Sequence, residues 1–249
     1  MSVPYDSFDY PGFWINRSFE DKCERIALTR FFKRTKKGKL LDIGGGFGRL
    51  ANLYALFFDS CIIFEPSREL IRIGKKKLSL FSNLKFEQGS LPFLPFDSAT
   101  FDVALMVRVS HHLPVLLPSF KEVYRVLKDD GYFVLEIANK IHFLARTKAF
   151  FRGDFSFVDS LAPLERRSEE SIKKGNILFL NHHPWQVEQD LEKAGFVILE
   201  KLSVSNFRHH FIKRVFPNFL LLFFEKWLQK PLSRIYFGPS IFYLCIKKS

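Results

Sequence analysis

Short apolar runs alternate with longer amphipathic stretches along most of this chain. Lys39–Ile43, Cys61–Glu65, Leu84–Glu87, Phe101–Val107 and Tyr132–Ala138 read as strands, the last entered through the turn Asp129-Asp130-Gly131. Between them, helical spacing runs over Arg49–Phe57, from Pro66-Ser67 to about Leu80, and over Ser119–Leu127. Ahead of the first strand, Ser18-Phe19-Glu20-Asp21 has the form of an N-cap followed by acids in a first turn. Phe19, Cys23, Ile26, Ala27 and Phe31 then keep helical spacing to about Lys33. Strands that alternate with helices of this length imply a parallel, doubly wound sheet covered on both faces.

After Ala138 the rhythm changes. Residues 139–183 carry few regular signals, and Pro184–Ala194 then reads as a helix with proline in its first turn and Gly195 at its end. Phe196–Leu202 and Ser240–Ile246 read as two late strands, with a helical stretch, Asn218–Lys230, between them. Apolar residues occupy nearly every face of Phe219–Leu228, and a helix of that kind is buried, oligomeric or membrane-seated.

Composition sharpens the reading of this last part. The chain has 249 residues, enough for one large domain, and 31 of them are Phe, more than packing needs. The net charge of +12 is uneven, because residues 201–249 hold nine Lys/Arg against Glu225 alone. A basic, aromatic-rich segment faces an anionic neighbour, a membrane surface or nucleic acid, or else is a solvated face. Cys23, Cys61 and Cys245 support neither a disulfide framework nor a zinc motif, and the polar start MSVPYDSFDY does not read as a signal peptide. A reducing, cytoplasmic setting follows, with a peripheral membrane contact through residues 207–230 as an addition, since Phe219–Phe224 is too short to span a bilayer.

The chemistry concentrates in Asp42-Ile43-Gly44-Gly45-Gly46-Phe47-Gly48, directly after the first strand. Glycines let the backbone turn sharply and approach a ligand closely. The spacing is neither the dinucleotide pyrophosphate pattern nor a phosphate loop. Glu65 ends the second strand, 19 residues past Gly46, where a carboxylate can accept both hydroxyls of a ribose.

Together with Phe64-Glu65-Pro66-Ser67, Leu91-Pro92-Phe93, Phe101-Asp102-Val103, His111-His112-Leu113 and Tyr124–Gly131, this segment resembles the consecutive motifs of class I S-adenosylmethionine-dependent methyltransferases. The type 11 branch, to which the ubiquinone/menaquinone C-methyltransferases are similar, is the nearest group. The resemblance covers about residues 38–138 and is specific for fold and cofactor, while nearly silent on substrate. It implies a Rossmann-like seven-stranded sheet of order 3-2-1-4-5-7-6 with the last strand antiparallel. Residues 1–37 would then be an N-terminal arm and helix, 38–138 the cofactor-binding core, and 139–183 with 203–239 an aromatic-rich cap on the substrate side.

The resemblance further implies S-adenosyl-L-methionine as cofactor and S-adenosyl-L-homocysteine as product. Asp42, Gly44 and Gly46 would surround the methionine part, Glu65 would hold the ribose, Pro66 would flank the adenine, and Gly45, Ser90, Leu91 and Val107 would also belong to the cofactor site. One departure stands out: the family usually has an acid where this chain has Ser90, and a neutral hydroxyl grips the adenine amino group less strongly than a carboxylate.

A methyl on a sulfonium leaves readily, so alignment and water exclusion matter more than any universal catalytic residue. His111, His112 and His183 are the candidate bases for a hydroxyl or carbon acid, each with the alternative of packing or capping. Tyr10, Trp14, Arg17, Arg108, His182 and Trp185 are candidates for the substrate side. Val107-Arg108-Val109-Ser110 does not resemble the Asn/Asp-Pro-Pro-aromatic motif of amino-directed nucleic-acid enzymes, and adjacent histidine pairs do not suit one metal ion. The expected acceptor is a small or lipid-like molecule methylated at oxygen or carbon. Methylation of RNA and a non-catalytic cofactor-binding role are the alternatives.

Overall fold

The computed structural model describes residues 9–174 and 176–248; the polar start of the chain lies mostly outside them. Seven strands form one sheet: β1 (Lys39–Ile43), β2 (Ser60–Glu65), β3 (Leu84–Gln88), β4 (Phe101–Met106), β5 (Leu127–Ala138), β6 (Phe196–Val204) and β7 (Ser240–Lys247). Their order is β3-β2-β1-β4-β5-β7-β6, in agreement with the expected 3-2-1-4-5-7-6. The first five run parallel, whereas β7 is antiparallel to both β5 and β6. Pairing of Ile43 with Phe64 and of Asp42 with Leu105 brings the carboxyl ends of β1, β2 and β4 to one edge. Chain connections diverge there, between β1 and β4, which is where open α/β sheets bind ligands.

The inner strands are buried on both faces because successive residues point to opposite sides. Leu40, Val103, Leu105, Val134 and Phe242 meet a layer that includes helices α2 (Ser18–Phe32), α3 (Ala51–Tyr54) and α10 (Asn218–Ser233). Leu41, Ala104, Phe133, Leu135 and Tyr243 meet α5 (Leu117–Val126) and α8 (Pro184–Lys193). The remaining helices are α1 (Tyr10–Phe13), α4 (Arg68–Lys77), α6 (Phe143–Phe151), α7 (Glu169–Lys173) and α9 (His210–Val215).

Several local expectations change. Ser18 is the first residue of α2 and caps nothing, because the chain enters from a 3-10 turn at Ile15–Arg17. The helix expected over Arg49–Phe57 shrinks to Ala51–Tyr54 between turns. Asp129-Asp130-Gly131 is a bulge inside β5, with Asp130 at φ 57°, so the strand begins already at Leu127. Residues 139–183 hold α6, α7 and a small antiparallel pair, Leu164–Glu165 with Leu180–Asn181, elements too short to leave a periodic signature.

The largest revision concerns α10, whose buried stripe is Leu221, Glu225, Gln229 and Ser233, at i, i+4 spacing. Glu225 accepts hydrogen bonds from the backbone N–H of Ser205 (2.6 Å) and Asn206 (3.0 Å), closing the turn after β6. Gln229 donates to the Cys23 carbonyl at 3.0 Å. Polar side chains that satisfy buried backbone thus face inward, and Phe219, Phe223, Phe224 and Trp227 are left 44–75% exposed. Among the described residues no helix is long and apolar enough to cross a membrane.

Candidate active site

The turn after β1 forms because its glycines reach backbone angles that other residues avoid. Gly44 and Gly46 have φ of 67° and 59°, and a Cβ on Gly44 would stand 2.4 Å from Val109 Cγ2. Glu65, at the end of β2, accepts from Gly46 N–H (2.9 Å) with one carboxylate oxygen and from Ser67 N–H (3.0 Å) with the other. The carboxylate is therefore held against the loop by both of its oxygens. Ser67 caps α4, its Oγ accepting from Leu70 N–H at 3.2 Å.

These residues border a cavity of about 270 Å³ whose walls are mostly apolar. Gly44, Gly46, Glu65, Pro66, Ser90 and Leu91 line it, and so do Tyr10, Arg108 and His112. The ring of Tyr10 lies over Gly46 and meets Phe47 edge-on at 6.1 Å, so α1 covers the loop. Asp42, Gly45 and Val107 are not wall residues. Asp42 sits beneath the loop, where its carboxylate accepts from the Tyr54 hydroxyl at 2.9 Å and leaves no room for a Cβ on Gly45. Burial pushes the Asp42 carboxyl up to about 7, against the opposing effect of the Tyr54 hydrogen bond.

A second cavity of about 200 Å³ shares Tyr10, Arg108, His112 and Ile177 with the first. Phe13, Trp14, His111 and Phe179 complete it. Arg108 is held by Glu24 on α2, to which it donates from Nε (2.8 Å) and Nη2 (2.5 Å). Arg49 reaches the other Glu24 oxygen at 2.5 Å and also pairs with Asp21, while its guanidinium lies 3.6 Å over the Trp14 ring. Burial alone would raise the Glu24 carboxyl, but Arg108 and Arg49 outweigh it and hold it below the ordinary range.

His111 and His112 lie on a 3-10 turn, Ser110–His112, their rings 3.9 Å apart. His112 Nδ1 is 2.7 Å from the Leu178 carbonyl and so donates to it. The His111 ring has no hydrogen bond among the described residues and packs 4.4 Å from Phe179. Burial, then His112 and Arg108, push its pKa well below the usual histidine range, so it is unprotonated at neutral pH.

The other histidine candidates lie elsewhere. His182 donates from Nε2 to the Ser110 carbonyl at 2.9 Å and steadies the turn that carries His111, without lining either cavity. His183 caps α8: its Nδ1 accepts from Trp185 N–H (3.2 Å) and its Nε2 donates to Val158 (2.9 Å). Trp185 lies in a separate surface depression with Glu188 and Glu192. Arg17 lines neither cavity but stacks 4.0 Å over Phe13, on the rim of the second. Ile177 and Phe179 had no sequence signal, because the segment that carries them reaches the site only through the Leu180–Asn181 strand and the His112 contact.

The fold and this loop are shared widely. A methyltransferase-domain profile matches residues 41–135. The chain is 32% identical over 220 residues to the ubiquinone/menaquinone biosynthesis C-methyltransferase of Rickettsia felis, covering 80% of each protein. It belongs to the class I, type 11 methyltransferases. An uncharacterized methyltransferase of Bacillus subtilis is 31% identical over 99 residues, a match limited to 39% of either chain. A solved S-adenosylmethionine-dependent methyltransferase from Thermotoga maritima superposes with a TM-score of 0.62 at 20% identity, covering 98% of this chain and 99% of that one.

This methyltransferase uses S-adenosylmethionine, and its first cavity fits the group. Glycines 44 and 46 leave space that a Cβ would disturb, and Glu65, held against the loop, would meet the ribose hydroxyls. Ser90 and Leu91, on the same wall, would offer the adenine a hydroxyl and an apolar surface. When bound, the cofactor supplies a methyl group on a positively charged sulfur. Of the protein's own residues, Tyr10 covers the loop, and Arg108 and His112 border both cavities.

Proposed function

We propose that this methyltransferase acts on an oxygen or carbon of a small, apolar-bodied or lipid-like acceptor that occupies the second cavity. The observation that carries this reading is that the second cavity adjoins the first, the two sharing Tyr10, Arg108 and His112 in their walls. Phe13, Trp14 and Phe179 suit a flat or alkyl body, and neutral His111 is free of hydrogen bonds among the described residues, ready to accept one from an acceptor hydroxyl or acidic C–H. An apolar pocket walled by aromatic rings supports catalysis by alignment, which a sulfonium methyl donor requires above all.

Exposed aromatics on α6, α9 and α10 support delivery of that acceptor from a membrane surface. Phe151, Phe211, Phe219 and Trp227 are 66–81% exposed, beside Lys148, Lys213, Arg214 and Lys226. This is a peripheral contact of the kind expected for residues 207–230, widened to include α6.

Incubating the protein with methyl-tritiated S-adenosylmethionine and separated lipid, small-molecule and RNA fractions of a bacterial extract tests the reading. Label is expected in organic-extractable product and absent after His111→Phe with cofactor binding retained. Label confined to RNA would overturn it in favour of the nucleic-acid alternative.

A further inference from the structure

We infer that the cavity between the start of α6 and the start of α9 is an oxyanion subsite, which takes a phosphate- or carboxylate-bearing end of the methyl acceptor. The inference rests on the reading of the neighbouring aromatic cavity as the acceptor site. About 250 Å³ in volume, the subsite cavity is bordered by His142, Phe143, Asn206, Arg208, His209 and Ile212.

Its central feature is Arg208, whose guanidinium makes no hydrogen bond or ion pair among the described residues. Arg17, Arg108 and Arg166 all lie within electrostatic reach of it. Of these, only Arg108 has a carboxylate partner, Glu24. Arg17 stacks on Phe13, and the Arg166 guanidinium has no partner among the described residues. Glu20 is an acid in reach of Arg208 and pairs through Oε1 with Lys213 at 3.1 Å. Arg208 thus borders the cavity with two further guanidinium groups, those of Arg17 and Arg166, in electrostatic reach and without a carboxylate partner among the described residues.

Arg208 and Arg166 are exposed and Arg17 is half-buried, so water moderates their mutual repulsion and the guanidinium groups are open to an anion from solvent. Burial and then the neighbouring arginines lower Arg208 to about 10, and burial, followed by Arg208, Arg166 and Arg146, lowers His142 to about 4. An oxyanion relieves both effects, and the planar guanidinium fork matches a phosphate or carboxylate in two hydrogen bonds. Phe143 and Ile212 on the walls accept the apolar carbon next to that group. Arg17 on Phe13 and Arg108 in the acceptor wall link the subsite to the aromatic cavity, so one amphiphilic anion can engage both. The uneven charge of the chain, noted in its last fifth, here acquires a local use.

Calorimetry on the full chain saturated with S-adenosylhomocysteine tests this, with octyl phosphate, octanoate, octanol and inorganic phosphate as probes. Octyl phosphate is expected to bind at least about tenfold more tightly than octanol, and Arg208→Gln and Arg166→Gln each to weaken it by about fivefold or more. Affinity for S-adenosylhomocysteine and the melting temperature should stay unchanged, and Lys76→Gln, on the exposed face of α4, should alter nothing. Inorganic phosphate binding as tightly as octyl phosphate, and lost in Arg208→Gln, would assign the subsite to a free anion; weaker binding would assign it to an anion tethered to an apolar body. Octyl phosphate no tighter than octanol, or undiminished by Arg208→Gln, would overturn the inference. If S-adenosylhomocysteine itself does not bind, the cofactor site has failed, and the octyl phosphate titration still decides the subsite separately.

Discussion

Replacing Glu24 by glutamine removes one negative charge from the middle of a buried trio while leaving the side chain's size unchanged. Glu24 is fully buried, and the side chains of Arg49 and Arg108 are only 10% and 17% exposed, so water and salt screen them little. In the variant, two guanidinium groups face one amide that offers a single acceptor and turns N–H donors toward the other cation. Breaking a buried pair in this way costs about 3–5 kcal/mol. The lower end applies, because Arg49 keeps its pairing with Asp21. For a chain of this length each kcal/mol shifts the melting temperature by roughly 2–4 °C, so a drop of about 6–12 °C is expected. Circular dichroism melts across a pH series provide the assay. The Glu24 carboxyl sits below its ordinary range when folded, so its contribution is complete above the unfolded pKa of about 4.3 and is lost as pH falls through the folded value. The gap between wild type and variant should therefore hold constant from pH 8 to 5 and close only in stronger acid. A gap below about 1 kcal/mol at pH 7, or the same loss in an Arg108→Gln background as in the wild type, would refute the reasoning, since coupled groups cannot act additively.

Other consequences can be measured separately. Glu65→Gln should weaken S-adenosylhomocysteine by roughly 10- to 100-fold in calorimetry, because a charged acceptor is worth about 1.5–3 kcal/mol per hydrogen bond; unchanged affinity would remove the ribose role. His183→Ala should cost about 1 kcal/mol of stability, as loss of an N-cap does, with kcat and KM unaltered, whereas a fall in kcat would return His183 to the list of catalytic candidates. His142, lowered to about 4 chiefly by burial, favours the fold above pH 6.5 and progressively less as pH falls toward 4, so His142→Gln should flatten the loss of stability between pH 6.5 and 5 by at most about 2 kcal/mol. Changing Phe223 and Trp227 to serine should reduce sedimentation with anionic vesicles by at least about 100-fold in partition coefficient, from about 1.5–3 kcal/mol for each of the two aromatic rings, and equal pelleting would reject α10 as a docking surface.

The cofactor half of this protein was legible in its sequence because its determinants are local. Leu40 to Ile43 are apolar in succession or nearly so, which marks an inner parallel strand, and Gly44 and Gly46 are required by backbone angles set within a few residues of them. Glu65 ends an equally plain strand, and the distance from glycine to acid is the length of the turn, helix and second strand that follow β1. The acceptor half was decided by tertiary packing. Glu24, Arg49 and Arg108 are 25 and 84 residues from their partners in sequence, and nothing in the spacing pairs them. His182 and His183 looked like site residues, yet one braces a turn and the other caps a helix, because their ring nitrogens are taken by carbonyl and amide groups that only the fold brings near. The same holds for α10: its composition reads as apolar all round, but the unsatisfied backbone after β6 draws Glu225 inward and turns the aromatic rings out. Periodicity and glycine angles act over a few residues and are written along the chain, whereas hydrogen bonding of buried polar groups is settled only when distant segments meet.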